Sequence, residues 1–211
     1  MEILRERTNR FNAIPLGAAA PADVRRRLSR ILCFCLLLSC FTAVPGWRTV
    51  AAEFSREYQI KAAFLFNFAQ FSQWPTNAFA GPDKPLVIGI LGTDPFGSML
   101  DDIVRGETVQ GRRLLVERFR RVEEIQTCHI LFISQSESTR LESQLKALQN
   151  KPILTVTDIE DSAYRGVMIR FINESNKIRL RVNLDAVENA HMTISSKLLR
   201  AAEVVPSRRT R

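Results

Sequence analysis

The residues able to do chemistry are few, and their spacing decides against most of the chemistry they could do. Gly89-Ile90-Leu91-Gly92-Thr93-Asp94-Pro95-Phe96-Gly97 follows an apolar run and precedes a helical pattern, where a phosphate-cradling loop would sit. Its spacing lacks G-x-G-x-x-G, and no Gly-Lys-Ser/Thr follows. Asp94-Pro95 reads instead as a helix N-cap with proline at the first helical position. His129 and His191 are the two histidines, and apart from adjacent Cys128 neither has an acid or thiol at metal-ligand spacing. There is no Gly-x-Ser-x-Gly elbow, and Ser195-Ser196-Lys197 lacks the serine three residues before the lysine. The acid pairs Asp101-Asp102, Glu123-Glu124 and Glu160-Asp161 fall in predicted exposed positions. Neither catalysis, a metal nor a cofactor has positive support. What remains is a set of hydrogen-bonding groups at predicted strand ends: Gly92, Thr93 and Asp94, then Ser134 and Ser136, then Asp158. Open α/β sheets gather ligands there, and the same residue types also serve as turns and caps.

The elements that position these groups follow from periodicity. Tyr58, Ala62, Leu65, Phe66 and Ala69 recur at steps of three and four, which predicts a helix over about Phe54 to Ser72. Phe64, Phe68 and Phe71 carry apolar character around that helix, and Trp74-Pro75 stops it. An aromatic surplus of this kind points to an association surface, with Phe64, Phe68, Phe71 and Trp74 as candidates for binding a partner or a second subunit. Continuous apolar runs at Leu86–Leu91, His129–Ser134 and Ile153–Asp158 alternate with helical patterns at Phe96–Val104 and Glu137–Leu148, and Arg113–Phe119 alternates as a further strand. Runs apolar at every position are strands covered on both faces. The fold class is therefore α/β: a single domain with a mostly parallel sheet and helices on both faces. Val167–Ile172 and Lys177–Val182 flank Asn173-Glu174-Ser175-Asn176 and form a β-hairpin at the sheet edge. Helices over Leu184–Ala190 and Ser195–Val204 close the domain, capped at Ser195 or Ser196.

Ahead of the domain, Arg25-Arg26-Arg27-Leu28-Ser29-Arg30 abuts an uncharged stretch from Ile31 to Val44. That stretch is shorter than the ~20 residues of a stable membrane anchor. Small residues before Glu53 suit a signal peptidase, with Val50 and Ala52 at the minus-three and minus-one positions. The reading is an exported, periplasmic protein: a signal over 1–52, with a start codon nearer Val24 or Leu28 also open, a domain over 53–205 and a basic tail over 206–211. A lipobox at Leu37-Leu38-Ser39-Cys40, with Cys40 acylated, and an uncleaved anchor are the alternatives. Removing 1–52 takes away eight of the 30 basic and three of the 22 acidic residues, so most of the +8 charge is a sorting signal. The residual +3 gives no basic face for nucleic acid. Three of the four cysteines also leave, and Cys128 stands alone, placed by its context at the buried or half-buried start of a strand, with a reactive or intermolecularly paired thiol as the alternative.

Five segments in this order resemble the YfiR family. They are Lys61–Ala69 with Trp74-Pro75, Ile88–Gly97, Cys128–Ser134, Leu154–Asp158 and Ile194–Leu199. The resemblance implies a periplasmic, non-enzymatic, often dimeric α/β domain. It implies a protein that binds the periplasmic region of an inner-membrane diguanylate cyclase and holds it inactive, so modulating cyclic-di-GMP and biofilm formation, until an outer-membrane lipoprotein sequesters it. Intramolecular disulfides of the family's best-understood member do not carry over to a chain with one mature cysteine. A sensor kinase is the other membrane partner the resemblance allows. A small-ligand binder acting with a sensor kinase or transport system, through the strand-end cleft, is the alternative function.

Overall fold

The computed structural model describes the backbone of residues 46–205 except residue 176, and the side chains from Arg56 onward with the same exception. Residues 50–211 fall in one compact unit, and the fold described is that unit's. The export signal expected at 25–44, Cys40 and the tail at 206–211 lie outside the described residues. Ala52, the expected processing point, falls on the backbone of the first helix.

That helix, α1 (Gly46–Phe71), starts earlier than its periodicity predicts and ends one residue before the short strand β1 (Ser72–Gln73). A 3₁₀ turn at Thr76–Ala78 leads to β2 (Leu86–Leu91), α2 (Ser98–Val104), β3 (Thr108–Val109) and β4 (Arg112–Phe119). Then come β5 (Ile130–Ile133), α3 (Leu141–Leu148), β6 (Leu154–Thr157), β7 (Ile169–Glu174), β8 (Lys177–Val182), α4 (Leu184–Asn189), β9 (Thr193–Ile194), α5 (Ser196–Leu199) and β10 (Ala202–Val204).

Eight strands make one sheet in the order β10-β8-β7-β6-β5-β2-β4-β3. The pairs β4/β2, β2/β5, β5/β6, β6/β7 and β8/β10 are parallel, and only β3/β4 and β7/β8 are antiparallel. The remaining two strands, β1 and β9, pair antiparallel as a separate ladder, Ser72 opposite Ile194. Successive residues of β5 show why every position is apolar. Ile130 and Phe132 enter the core beneath α1, whereas Leu131 and Ile133 enter a second core with Leu141 and Leu148 of α3. A strand buried on both faces has no polar side.

Two local expectations are corrected. Asp94 does not cap α2. Its Oδ1 accepts the Phe96 and Gly97 N–H groups in a tight turn, Gly97 takes φ +56°, and the helix opens only at Ser98. The final helix is also shorter than the predicted Ser195–Val204. Ser195 caps α5, its hydroxyl accepting from Lys197 N–H at 3.3 Å. The chain then leaves the helix after Leu199, and Ala202–Val204 add in parallel to β8, outside the hairpin. Pairing with β8, reinforced by Glu203 on Arg181 at 2.8 Å, outweighs the helical preference of Ala-Ala-Glu, which is worth only tenths of a kcal/mol per residue.

Candidate functional site

The inward stripe of α1 consists of Tyr58, Lys61, Ala62, Leu65, Phe68 and Ala69, all buried. Phe68 is fully enclosed, its ring 5.8 Å from that of Phe171 on β7. It is therefore withdrawn from the surface candidates: one step of 100° per residue turns it inward and leaves Phe66, read from sequence as core, only partly covered. Phe64, Phe71 and Trp74 are likewise half-buried. The outward stripe, Gln59, Ile60, Ala63, Asn67 and Gln70, holds no charge. Lys61 is the one charged residue from Gln59 to Gln73, and it points inward.

Lys61 carries information that the sequence pattern hid. Its Nζ lies 2.5 Å from Glu57 Oε1 and 2.5 Å from Asp158 Oδ2, with 3 % of the lysine side chain and 8 % of the aspartate exposed. Tyr58 donates its hydroxyl to the same Asp158 oxygen at 2.8 Å; burial, then the Asp158 charge, raises its pKa. Glu57 in turn accepts from Asn173 of β7. The cluster fastens α1 to the carboxyl ends of β6 and β7, and Asp158 Oδ1 is buried without a hydrogen-bond partner.

Five of the six predicted strand-end residues meet at this end of the sheet. Thr93 N–H donates to Ser136 Oγ at 2.9 Å, Ser134 N–H to the Leu91 carbonyl at 3.0 Å, and Gln135 Nε2 to the Asp158 carbonyl at 2.9 Å. Gly92 sits at φ +90°, and a Cβ there would stand 2.4 Å from Ser136 Oγ, so only glycine lets these loops close. Asp94 turns away to Arg118, 2.8 Å from its Nε. The hydrogen-bonding capacity that marked these residues as a cleft is spent largely on stitching the loops together.

The amino ends of the strands are arranged differently. His129, just before β5, is 1 % exposed. Its Nδ1 accepts the Val87 N–H at 3.0 Å, which places the ring proton on Nε2. Phe79 stacks on the imidazole at 4.3 Å and 16°, the Arg112 guanidinium covers the outer face of Phe79 at 3.8 Å, and Trp74 packs edge-on while donating Nε1–H to the His129 carbonyl. Burial holds His129 down to about 4, with a smaller contribution from Arg112 and an opposing one from the Ala78 backbone. Beside it Cys128 is buried, as expected, and its thiol donates to the Ile130 carbonyl. Burial pushes that thiol up to about 12, which makes it inert rather than nucleophilic. Sequence reasoning set His129 aside for want of metal partners; the loop residue that covers it, Phe79, lies 50 positions away.

Among the described residues no group of three or more His, Cys, Asp or Glu side chains could hold a metal ion, and no helix is long and apolar enough to cross a membrane. A profile of the YfiR/HmsC-like family matches residues 58–203. The chain belongs to that family. The match runs from Tyr58 of the buried cluster to Glu203 of β10, and so takes in the eight-stranded sheet and the inward face of α1. The YfiR/HmsC-like family is a regulatory, non-catalytic and periplasmic one. A search of curated proteins finds no match.

Proposed function

We propose that this protein is exported to the periplasm, binds the periplasmic portion of an inner-membrane diguanylate cyclase and holds that enzyme in its inactive form. The observation that carries this reading is the family match across the whole sheet. The outward stripe of α1 supports it. An uncharged face from Gln59 to Gln70, flanked by half-buried Phe64, Phe71 and Trp74, has the charge depletion and aromatic enrichment of an interface core. The same stripe would serve a homodimer. Restraint requires tighter binding to the inactive cyclase, because a ligand shifts an equilibrium only by its differential affinity, and a hundredfold preference corresponds to ~2.7 kcal/mol.

Deleting the gene should raise intracellular cyclic-di-GMP, and restoring the exported protein should lower it again. A version kept in the cytoplasm by loss of residues 25–52 should not. Ile60→Lys with Ala63→Glu, which charge the outward stripe without touching the core, should abolish restraint while leaving the melting temperature unchanged. Unaltered cyclic-di-GMP on deletion would refute the cyclase as partner and direct the search to a sensor kinase; full rescue by the cytoplasmic version would refute periplasmic action.

A further inference from the structure

The two faces of the sheet are covered unequally. Among the described residues, α1, α2, α4 and α5 all send side chains into the core beneath α1, and α3 is the only helix that contributes to the second core. That second core takes nothing from β7, β8 or β10. Ile169 and Phe171 of β7 and Leu180 and Val182 of β8 enter the core beneath α1, so strand alternation sends Arg170, Ile172, Arg179 and Arg181 to the other face. The 3₁₀ turn Ser162–Arg165 brings Tyr164 against this face, its ring centre 5.6 Å from the Arg181 guanidinium.

Arg170 and Arg181 stand directly opposite each other in the antiparallel β7/β8 register. Like charges at such a pair repel. The neighbouring acids answer only part of the charge: Glu174 pairs with Arg179 at 3.1 Å, and Glu203 of β10 accepts from Arg181 Nη2 at 2.8 Å. Arg170 has neither a carboxylate nor any other acceptor among the described residues. Both arginines are half-buried, and the Nε of each is enclosed without a hydrogen-bond partner. The Nη groups of Arg170 are equally unpaired but reach the surface. A partly desolvated cation held against a second cation is costly until an anion meets it. The strand pairing fixes both stems in advance, so little ordering is left for that anion to impose.

We propose that the outward Nη groups of Arg170 and Arg181 form a binding site for a phosphate group. The enclosed Nε atoms make no contact with it. The number of acceptors selects the ligand: a carboxylate has two oxygens, which one guanidinium fork occupies, whereas a phosphate monoester has three terminal oxygens and can bridge two guanidiniums. Glu203 is the rival acceptor within the chain, since it already holds one nitrogen of Arg181. A free phosphate ester and a phospholipid headgroup present the same chemistry to this open face. The site is independent of the partner surface on α1, which lies on the opposite face of the sheet.

The test titrates the purified protein calorimetrically with methyl phosphate and with acetate, and floats it with phosphatidylcholine vesicles made with and without phosphatidic acid. The proposal expects saturable binding of methyl phosphate or selective flotation with phosphatidic acid; the first identifies a free ester as the ligand, the second alone a headgroup. Acetate should bind at least about tenfold more weakly than methyl phosphate, and Arg170→Gln should weaken phosphate binding by a similar factor, the loss that goes with a charge-assisted hydrogen bond. Arg113→Gln, at an exposed arginine of β4, should change nothing. Glu203→Gln removes the internal rival and should strengthen phosphate binding severalfold, a gain that a misfolded variant could not give. Binding in neither assay overturns the proposal, since Arg170 and Arg181 then form only a solvated face. Equal affinity for acetate and methyl phosphate, an equal loss in Arg113→Gln, or no response to either Arg170→Gln or Glu203→Gln also overturns it.

Discussion

Acidification should unfold this protein through His129, and the size of the effect follows from the site. The imidazole is buried, accepts Val87 N–H on Nδ1 and is held to about 4, against about 6.5 for an unfolded histidine. A second ring proton would sit on Nδ1 and face the Val87 N–H donor. The folded pKa is depressed, so the unfolded chain binds the proton more readily. The stabilising contribution is therefore complete above pH 6.5 and is lost as pH falls towards 4. Linkage makes the total loss about 3 kcal/mol, of which about 2 kcal/mol has gone by pH 5. Urea denaturation at pH 7 and pH 5 measures it, with His129→Asn as the reference, because asparagine keeps an acceptor for Val87 N–H but does not titrate. The wild type should lose about 2 kcal/mol more than the variant between those two pH values. Parallel losses in both proteins would refute the assignment and shift the acid sensitivity to the carboxylates.

Two further substitutions probe the core. Lys61→Met leaves Asp158 buried without its cation and should destabilise the protein by about 3–5 kcal/mol, whereas adding Asp158→Leu should restore most of that loss; thermal melts of the single and double variants decide, and a double variant no better than the single would show that the ion pair is not the source. Gly89→Ala places a Cβ 2.7 Å from Cys128 Sγ and 2.8 Å from Phe119, so its unfolding free energy should drop by about 1–3 kcal/mol, and an unchanged value would mean that the sheet relaxes freely there.

The parallel strands were legible because burial on both faces leaves an unbroken apolar run, as at Leu86–Leu91, and the hairpin because Lys177–Val182 alternates. β10 was not, since Ala-Ala-Glu prefers a helix and the edge of β8 that captures it is a tertiary fact. On α1 the period was right but the stripe slipped: Phe66 outranked Phe68 by simple apolar counting, and Lys61 was passed over because a lysine becomes core only when its carboxylate arrives from 97 residues away. Five of the six strand-end residues lie at one end of the sheet, with Asp94 drawn off to Arg118, but that Gly92 and Ser136 would close on each other depended on a left-handed backbone angle. The enclosure of His129 at the opposite end is made by the loop after Trp74 folding over the start of β5, and no local pattern announces such a meeting.

The ladder between β1 and β9 bears on the order in which the chain can be completed. Ser72 pairs with Ile194, and Ser195 N–H donates to the Phe71 carbonyl at 2.8 Å, so the end of the first helix is held by residues about 120 positions later. Closing a loop of that length carries an entropic term of about 4 kcal/mol, and the contacts that offset it include Asp158 as well as Ile194. No portion of the chain that stops short of residue 195 contains the full docking site for α1. Until those last contacts are made, the face of α1 bearing Tyr58, Leu65 and Phe68 lacks part of its seat, and a chain still being passed through a membrane would keep that apolar stripe unsatisfied and its fold unfinished.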